Sequence, residues 1–468
     1  MRLLRLTATT FLTLSAAGVA HAGNVLLVGP GQQYATPCAA IAAAQPNDEV
    51  DVTAGSYTDS CEINTKGLIV KGVGGRPKID LSGTNHPADY KGIYVVQADD
   101  VRLENLELTG AHIDGAQGEN GAGIRIQANG LVVHGCYIHD NQNGILGNPP
   151  TAGAGTLTIE NSELAHNGLG NGCTDGNGCT HNLYAGNFGK LIFQYNWTHT
   201  IGQDGHLLKS RAAENDISYN RITGEDGGDS YSINLPNGGL AVVVGNVIQK
   251  GTKANNSILL QYGEEGLSNS DHRLFVVNNT FVNERGGGTF INLAAGGTLT
   301  AHDNLLVGMG TPANSGALSA DNLLFATSSD AMLVDAAHYD YHLAAGSPAR
   351  GKTVDPGMAD TRSLTPTQEY VQPLAGVPRA SAHDVGAFEY GNSVDVPDAG
   401  VTPMPDAGVA DGVDAAMGND APQTMSPKSG CSFAAGGDAA AGSALALLGI
   451  AVFLALAARR RRSCRDAR

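Results

Sequence analysis

The segment Asn215-Asp216-Ile217-Ser218-Tyr219-Asn220-Arg221-Ile222 decides the fold predicted for this chain. Its alternating apolar residues are typical of short strands with one buried face, and Asn220 stands at the turn between Ile217 and Ile222. The frame recurs about every 24–34 residues, within the range of solenoid repeats. Its other copies are centred on Asn196, Asn246, Asn279 and Asn304, and nearer the N-terminus on Ser162, Cys136 and Leu106. Each copy therefore predicts one coil.

Stacked coils would place their strands about 4.8 Å apart in parallel sheets. An asparagine at the same turn of successive coils can bond its amide to the next asparagine, and it tolerates the left-handed backbone of a sharp turn. We therefore predict an all-β parallel β-helix of about ten to twelve coils with an asparagine ladder. Cys136, which takes a ladder position, is predicted to be a core residue.

A second strand follows each of these turns, and its alternation predicts which side chains face outward. The predicted inward residues are Ile124, Leu183, Leu208, Ile233, Ile258 and Ile291, and the predicted outward column is Arg125, Tyr184, Lys209, Asn234, Gln261 and Asn292. Solenoid ends need caps. We expect a short helix over 38–44, a last strand at 340–343 and a closing strand at 383–390.

Composition narrows the classes of protein that fit this chain of 468 residues. With 63 glycines and only 5% aromatic residues, it does not resemble a helical bundle. The formal net charge of −17 argues against nucleic acid as a partner. An acidic surface is compatible with sugars, cations or simple solubility. We expect a monomer.

The ends of the chain predict an exported protein that is anchored at the outer cell envelope. Residues 1–22 have the charged, apolar and small-residue parts of a signal peptide. The β-helix domain is predicted over 23–390, a disordered Asp/Ala/Pro/Gly linker over 391–430, and a tail over 431–468. The tail has an apolar run at about 441–458, long enough for a transmembrane helix, followed by four arginines.

Export permits disulfide bonds, and four cysteines of the body are candidates. Cys38 and Cys61 lie in its first part, whereas Cys173 and Cys179 bracket a Gly/Asn loop. Spacing alone leaves the pairing open.

The repeat frame resembles the right-handed parallel β-helix family, which includes pectate lyases, polygalacturonases, and alginate and chondroitin lyases. The resemblance covers roughly residues 55–343. The tail, with Gly430-Cys431, its apolar run and its arginines, resembles the MYXO-CTERM sorting tail. That resemblance implies processing or lipid attachment at Cys431, and it leaves open whether the apolar helix is retained.

The segment Leu208-Lys209-Ser210 resembles the lysine-bearing coil of alginate and chondroitin lyases. The resemblance implies Lys209 as the base, assisted by an arginine on the next coil and by calcium. The next coil has Asn234 instead, so Arg211 or Arg125 would have to substitute. Possible oxygen ligands for Ca²⁺ are Glu225, Asp226 and Asp229. The alternative for these three is a solvated acidic loop.

Three functions remain open, and all of them use polysaccharide as the partner. The best single interpretation is carbohydrate binding or adhesion without catalysis, through Arg125, Asn234, Gln261 and Asn292. The alternative is a lyase that cleaves uronic-acid polymers by calcium-assisted β-elimination, with Lys209, Arg211 and Tyr184 as catalytic residues. Glycoside hydrolysis would need a carboxyl pair from Asp204, Glu225, Asp226 and Asp229.

Overall fold

The computed structural model describes residues 23–83, 87–113, 120–168, 180–202, 204–372 and 374–392. The predicted signal peptide, Cys173, Cys179, Cys431, the tail, and the linker beyond residue 392 lie outside these residues. Within them, no helix is both long enough and apolar enough to cross a bilayer.

Three long parallel sheets form a right-handed parallel β-helix, as the repeat predicts. Each coil contributes one strand to sheet A, then one to sheet B and one to sheet C. Sheet A contains Val25–Val28, Glu49–Thr53, Ile69–Val73, Val101–Glu104, Leu131–His134, Thr156–Glu160, Lys190–Gln194, Glu214–Ser218, Leu240–Val244, Arg273–Val277 and Thr298–His302. Sheet B contains Ser56–Tyr57, Lys78–Asp80, Glu107–Thr109, Tyr137–His139, Glu163–Ala165, Trp197–His199, Arg221–Thr223, Val247–Lys250, Thr280–Asn283, Leu305–Gly308 and Leu323–Phe325. Sheet C contains Cys61–Ile63, Gly92–Val96, Ala122–Ile126, Asn143–Gly147, His181–Ala185, His206–Ser210, Ile233–Leu235, Ile258–Tyr262, Thr289–Leu293 and Thr311–Ala313.

The core is a continuous apolar column that runs through the coils. Five of the six residues predicted to point inward from sheet C are fully buried, and Ile258 is the exception. In the strand register Leu260, not Ile258, pairs with Ile233 and Ile291. Ile258 lies two residues before Leu260 on the same face of the strand and is only partly buried, so Leu260 takes the core position in this coil.

The asparagine ladder at the turn between sheets A and B is confirmed. Each amide donates to the side-chain oxygen of the next asparagine at 2.8–3.2 Å, in the order Asn196, Asn220, Asn246, Asn279, Asn304 and Asn322. The same oxygen also accepts the preceding backbone N–H, and the amide also donates to a carbonyl of the preceding coil. Ser162 and Cys136 extend the line toward the N-terminus, and Cys136 is fully buried as predicted.

The N-terminal end is capped as expected. A helix over Pro37–Ala43 packs with the first strands, and it is tied to sheet C by a disulfide bond between Cys38 and Cys61. Both cysteines were candidates for a disulfide bond, and the structure decides the pairing that their spacing had left open.

After Phe325 the chain leaves the solenoid. It forms the helix Ser328–Ala331, the 3₁₀ turn Ala336–His338 and three antiparallel pairs: Leu333–Asp335 with Asp340–Leu343, Met358–Ala359 with Arg362–Ser363, and Gln368–Val371 with Ala375–Pro378. The expected strand at 340–343 exists, but it pairs in this hairpin and not with a coil.

The predicted closing strand at 383–390 was wrong, because this segment contains no strand. Val385, Ala387 and Phe388 pack against apolar residues of sheet B, among them Val282 and Val307. Other parts of the extension, such as Ala359 and Leu364, pack on sheet A. An alternating apolar pattern in the sequence does not reveal whether the segment will pair with the edge of a sheet or pack on its outer face.

Replacing Asn220 with Leu is expected to lower the free energy of unfolding by about 1–3 kcal/mol, because partners of its buried amide on both neighbouring coils lose their hydrogen bonds. Denaturant unfolding checks this, with the exposed Asn64→Leu variant as the control. Equal stability of both variants would show that the ladder contributes nothing.

Candidate functional site in the groove of sheet C

The C-terminal extension packs on the outer faces of sheets A and B, whereas the outer face of sheet C carries a row of polar side chains. The strand register aligns these positions as predicted, in the order Arg125, Leu146, Tyr184, Lys209, Asn234, Gln261 and Asn292. We call this row the sheet C column. Leu146 is an apolar interruption that the sequence analysis had not placed in it.

Lys209, Arg211 and Tyr184 form one contact cluster, as the prediction required. Arg211 Nε donates to Tyr184 Oη at 2.7 Å, and the Lys209 ammonium lies 5.5 Å from the centre of the Tyr184 ring. Both cations contact Glu265, with Lys209 Nζ 3.3 Å and Arg211 Nη2 2.7 Å from its carboxylate oxygens. Arg211 also donates to Asn237 Oδ1 at 2.6 Å.

The charge state of Lys209 is set by opposing effects. Its side chain is only 9% exposed, and burial lowers its pKa below the ordinary value of 10.5. Glu265 acts to raise the lysine pKa, Arg211 acts to lower it, and the net shift is downward. Burial similarly lowers the pKa of Arg125, whose Nε is buried without a hydrogen-bond partner among the described residues.

The other end of the column consists of amides. Asn234 and Gln261 are almost fully buried, and Asn292 donates to Gln261 Oε1 at 2.7 Å. The column therefore changes along its length from cations and a phenol to neutral donors and acceptors.

Two histidines lie beside the Lys209 cluster, each at the start of a strand of sheet C. His181 and His206 are partners on adjacent strands, with their Nδ1 atoms 3.1 Å apart. Both are buried, and burial holds the pKa of each well below 6.5. Tyr231 stacks on His206 at 5.3 Å between ring centres.

The three carboxylates predicted to bind calcium share no basic partner, and together they contact four different basic residues. Asp229 is fully buried and lies 2.6 Å from Lys250 Nζ, Glu225 contacts His199 and Arg221 of sheet B, and Asp226 is exposed near Lys253. No group of three or more His, Cys, Asp or Glu residues within the described ranges is arranged to hold a metal ion. These residues do not fit a shared calcium site.

Three of the four carboxyl groups considered for hydrolysis, those of Glu225, Asp226 and Asp229, likewise contact residues outside the column. Glu225 faces sheet B, Asp229 is paired with Lys250, and Asp204 is buried in the turn that leads into sheet C. The polar groups of the groove are therefore its cations, the phenol of Tyr184 and its amides.

Sequence reasoning missed how Glu265 and Asn237 organise the cluster. Each lies in a turn that follows a strand of sheet C, and each contacts Arg211 from a later coil. The only available signal was polar residues in Gly-rich turns beside the predicted column.

Acid is expected to destabilise the protein through His206. Its pKa is depressed in the folded state, so below about pH 6.5 the unfolded chain binds a proton that the folded chain resists. Stability linked to His206 is therefore present above pH 6.5 and lost as the pH falls from 6.5 toward the folded-state pKa. In His206→Asn the pH dependence of unfolding should be flatter than in the parent.

His139 provides a control whose contribution to stability should change with pH in the opposite direction. Burial disfavours its charge, but Asp140 and Glu107 raise its pKa above 6.5 overall. Its contribution is present below pH 6.5 and lost as the pH rises through the folded-state pKa. His139→Gln should therefore cost more stability in acid than in base, and the same pH trend in both variants would contradict the assignments.

The comparisons with known proteins address the fold. No protein-family model matches the sequence, and no curated protein matches it. The pectate lyase Pel9A superimposes with a TM-score of 0.52 and 16% identity, covering 79% of this chain and 97% of that one. The pectin methylesterase PemA from Erwinia chrysanthemi matches with a TM-score of 0.29 and 11% identity over 68% of this chain and 96% of that one. A PL6 family alginate lyase, AlyGC, matches with a TM-score of 0.31 and 13% identity, covering 78% of this chain and 57% of that one. The chain thus shares the right-handed parallel β-helix fold with pectate lyase Pel9A.

Proposed function

We propose that this protein binds an extended acidic polysaccharide along the sheet C column. The observation that carries the proposal is the cluster of Lys209 and Arg211 on a chain with a net charge of −17. Two partly buried cations in this setting are a preferred position for the carboxylate of a uronic acid. Pel9A, which has this fold, is a pectate lyase, and pectate is therefore the first ligand to test.

The column matches a polymer better than a single sugar. Arg125 and Lys209 are three strand steps apart, which corresponds to about 14 Å along the solenoid. Arg125, which is partly exposed, supplies the cation for a second carboxylate, and the partly exposed amide of Asn292 can exchange hydrogen bonds with hydroxyls. A ligand that contacts both ends must span several sugars.

Binding should weaken when a cation of the cluster is removed. We expect Arg211→Gln to reduce affinity for pectate, alginate or chondroitin about tenfold, equivalent to about 1.4 kcal/mol for a charge-assisted hydrogen bond. Lys190→Gln, on sheet A, is the matched control and should bind like the parent. The difference should shrink at high salt. Equal loss in the control, or equal binding of neutral dextran, would contradict the proposal.

A second candidate function is β-elimination with Lys209 as the base, favoured by its lowered pKa. The neutral amine would take the proton from the carbon next to the uronate carboxylate. The electron pair would form a carbon–carbon double bond as the adjacent carbon–oxygen bond breaks. Tyr184 accepts its hydrogen bond from Arg211, so its own O–H is available to protonate the leaving oxygen.

Lys209→Arg separates elimination from binding, because arginine keeps the charge but cannot act as a base near neutral pH. We expect this variant to retain most of the affinity and to lose the ultraviolet absorbance of the unsaturated product. In the parent, the rate should rise with pH as Lys209 loses its proton, with a midpoint below 10.5. Binding by the parent without product on any of the three polymers leaves adhesion as the function.

A further inference from the structure

The paired imidazoles beside the cluster form the centre of a chain of hydrogen bonds. His206 Nδ1 and His181 Nδ1 are 3.1 Å apart, and their rings are nearly parallel, with centres 5.0 Å apart. A hydrogen bond between two Nδ1 atoms requires one of them to carry a proton and the other to be bare. The remaining question is which histidine donates.

Asn234 answers that question from the next coil. Its Nδ2 lies 3.3 Å from His206 Nε2. A side-chain NH₂ group can only donate a hydrogen bond, so this contact requires His206 Nε2 to accept.

The polarity of the chain then follows step by step. Asn234 donates to His206 Nε2, which must be unprotonated. Neutral His206 consequently carries its proton on Nδ1 and donates it to His181 Nδ1. Neutral His181 is left with its proton on Nε2, at the ring position that does not face His206.

His181 lies next to the residues of the proposed binding site. Its ring centre is 4.9 Å from that of Tyr184, and Lys209 belongs to the same strand as His206. Burial and the nearby Lys209 and Arg211 keep the imidazole neutral. The site therefore gains a hydrogen-bond donor that carries no charge.

We propose that His181 is a positioning residue of the sheet C groove, with its Nε2–H held by the Asn234–His206 chain to donate to a polysaccharide oxygen beside the Lys209 cluster. The role of the donor rests on the proposed binding function, whereas the protonation pattern does not. The ligand class is sharpened accordingly: a uronate whose carboxylate meets the cations and whose neighbouring hydroxyl or ring oxygen accepts from His181.

The protonation pattern is tested in the ligand-free protein at neutral pH. Two-bond nitrogen–proton NMR spectra of protein labelled with ¹⁵N-histidine distinguish Nδ1–H from Nε2–H rings, and His181→Gln and His206→Gln spectra assign the signals. We expect His206 protonated at Nδ1 and His181 at Nε2. Asn234→Asp, which can only accept at this position, should reverse both. A doubly protonated ring, the opposite pattern in the parent, or signals changed by a metal chelator would overturn the chain.

The role in binding is tested with pectate and a pair of variants. His181→Leu removes the donor and should weaken binding about fivefold or more, whereas His181→Gln keeps an N–H donor at the corresponding position and should restore most of the affinity. His338→Leu, an exposed histidine remote from sheet C, should match the parent. Equal affinity of the Leu and Gln variants would overturn the donor role. Absence of polyuronate binding in the parent would contradict both the proposed function and the role of His181 in binding. The NMR spectra would still test the hydrogen-bond chain independently.

Discussion

The stacking of coils in strict register through buried asparagines is the constraint on which the rest of this molecule depends. Each ladder amide bonds to the coils on both sides. A coil that slipped by one residue would therefore leave donors and acceptors without partners in an apolar interior. The same register brings Tyr184, Lys209 and Asn234, which lie about 25 residues apart in sequence, onto neighbouring strands. The ladder asparagines from 196 to 304 are buried, yet the register they stabilise sets the spacing of the strands that carry the groove side chains.

The C-terminal extension gives the three faces of the solenoid different roles. Sheets A and B bear outward apolar residues such as Val244 and Val282 in their later coils, and the extension buries them. Sheet C bears polar groups instead. The division is chemical: outward valines need a covering layer, whereas outward cations and amides remain available for ligands.

Burial shapes the chemistry of the groove. Lys209 is nearly enclosed, which favours its neutral form, while its contact with Glu265 favours the charged form. Binding requires the ammonium and elimination requires the amine, so the two proposed functions need opposite charge states of one side chain. The neutral histidine pair beside it has a different use, because a donor without charge can orient a sugar hydroxyl without competing for the carboxylate.

The sequence by itself determined the solenoid, its ladder, Cys38 and Cys61 as candidate disulfide cysteines without their pairing, and the outward column from Arg125 to Asn292. These features repeat locally, and period-two alternation and turn chemistry are readable one coil at a time. The signal peptide and sorting tail stay predictions. Only the tertiary structure decided that Glu265 and Asn237 clamp Arg211, that Glu225 and Asp229 face different basic partners, and that residues 383–390 cover a face instead of closing an edge. Those contacts join turns and strands of different coils, and their partners depend on loop paths whose lengths vary from coil to coil and leave no periodic signal in the chain.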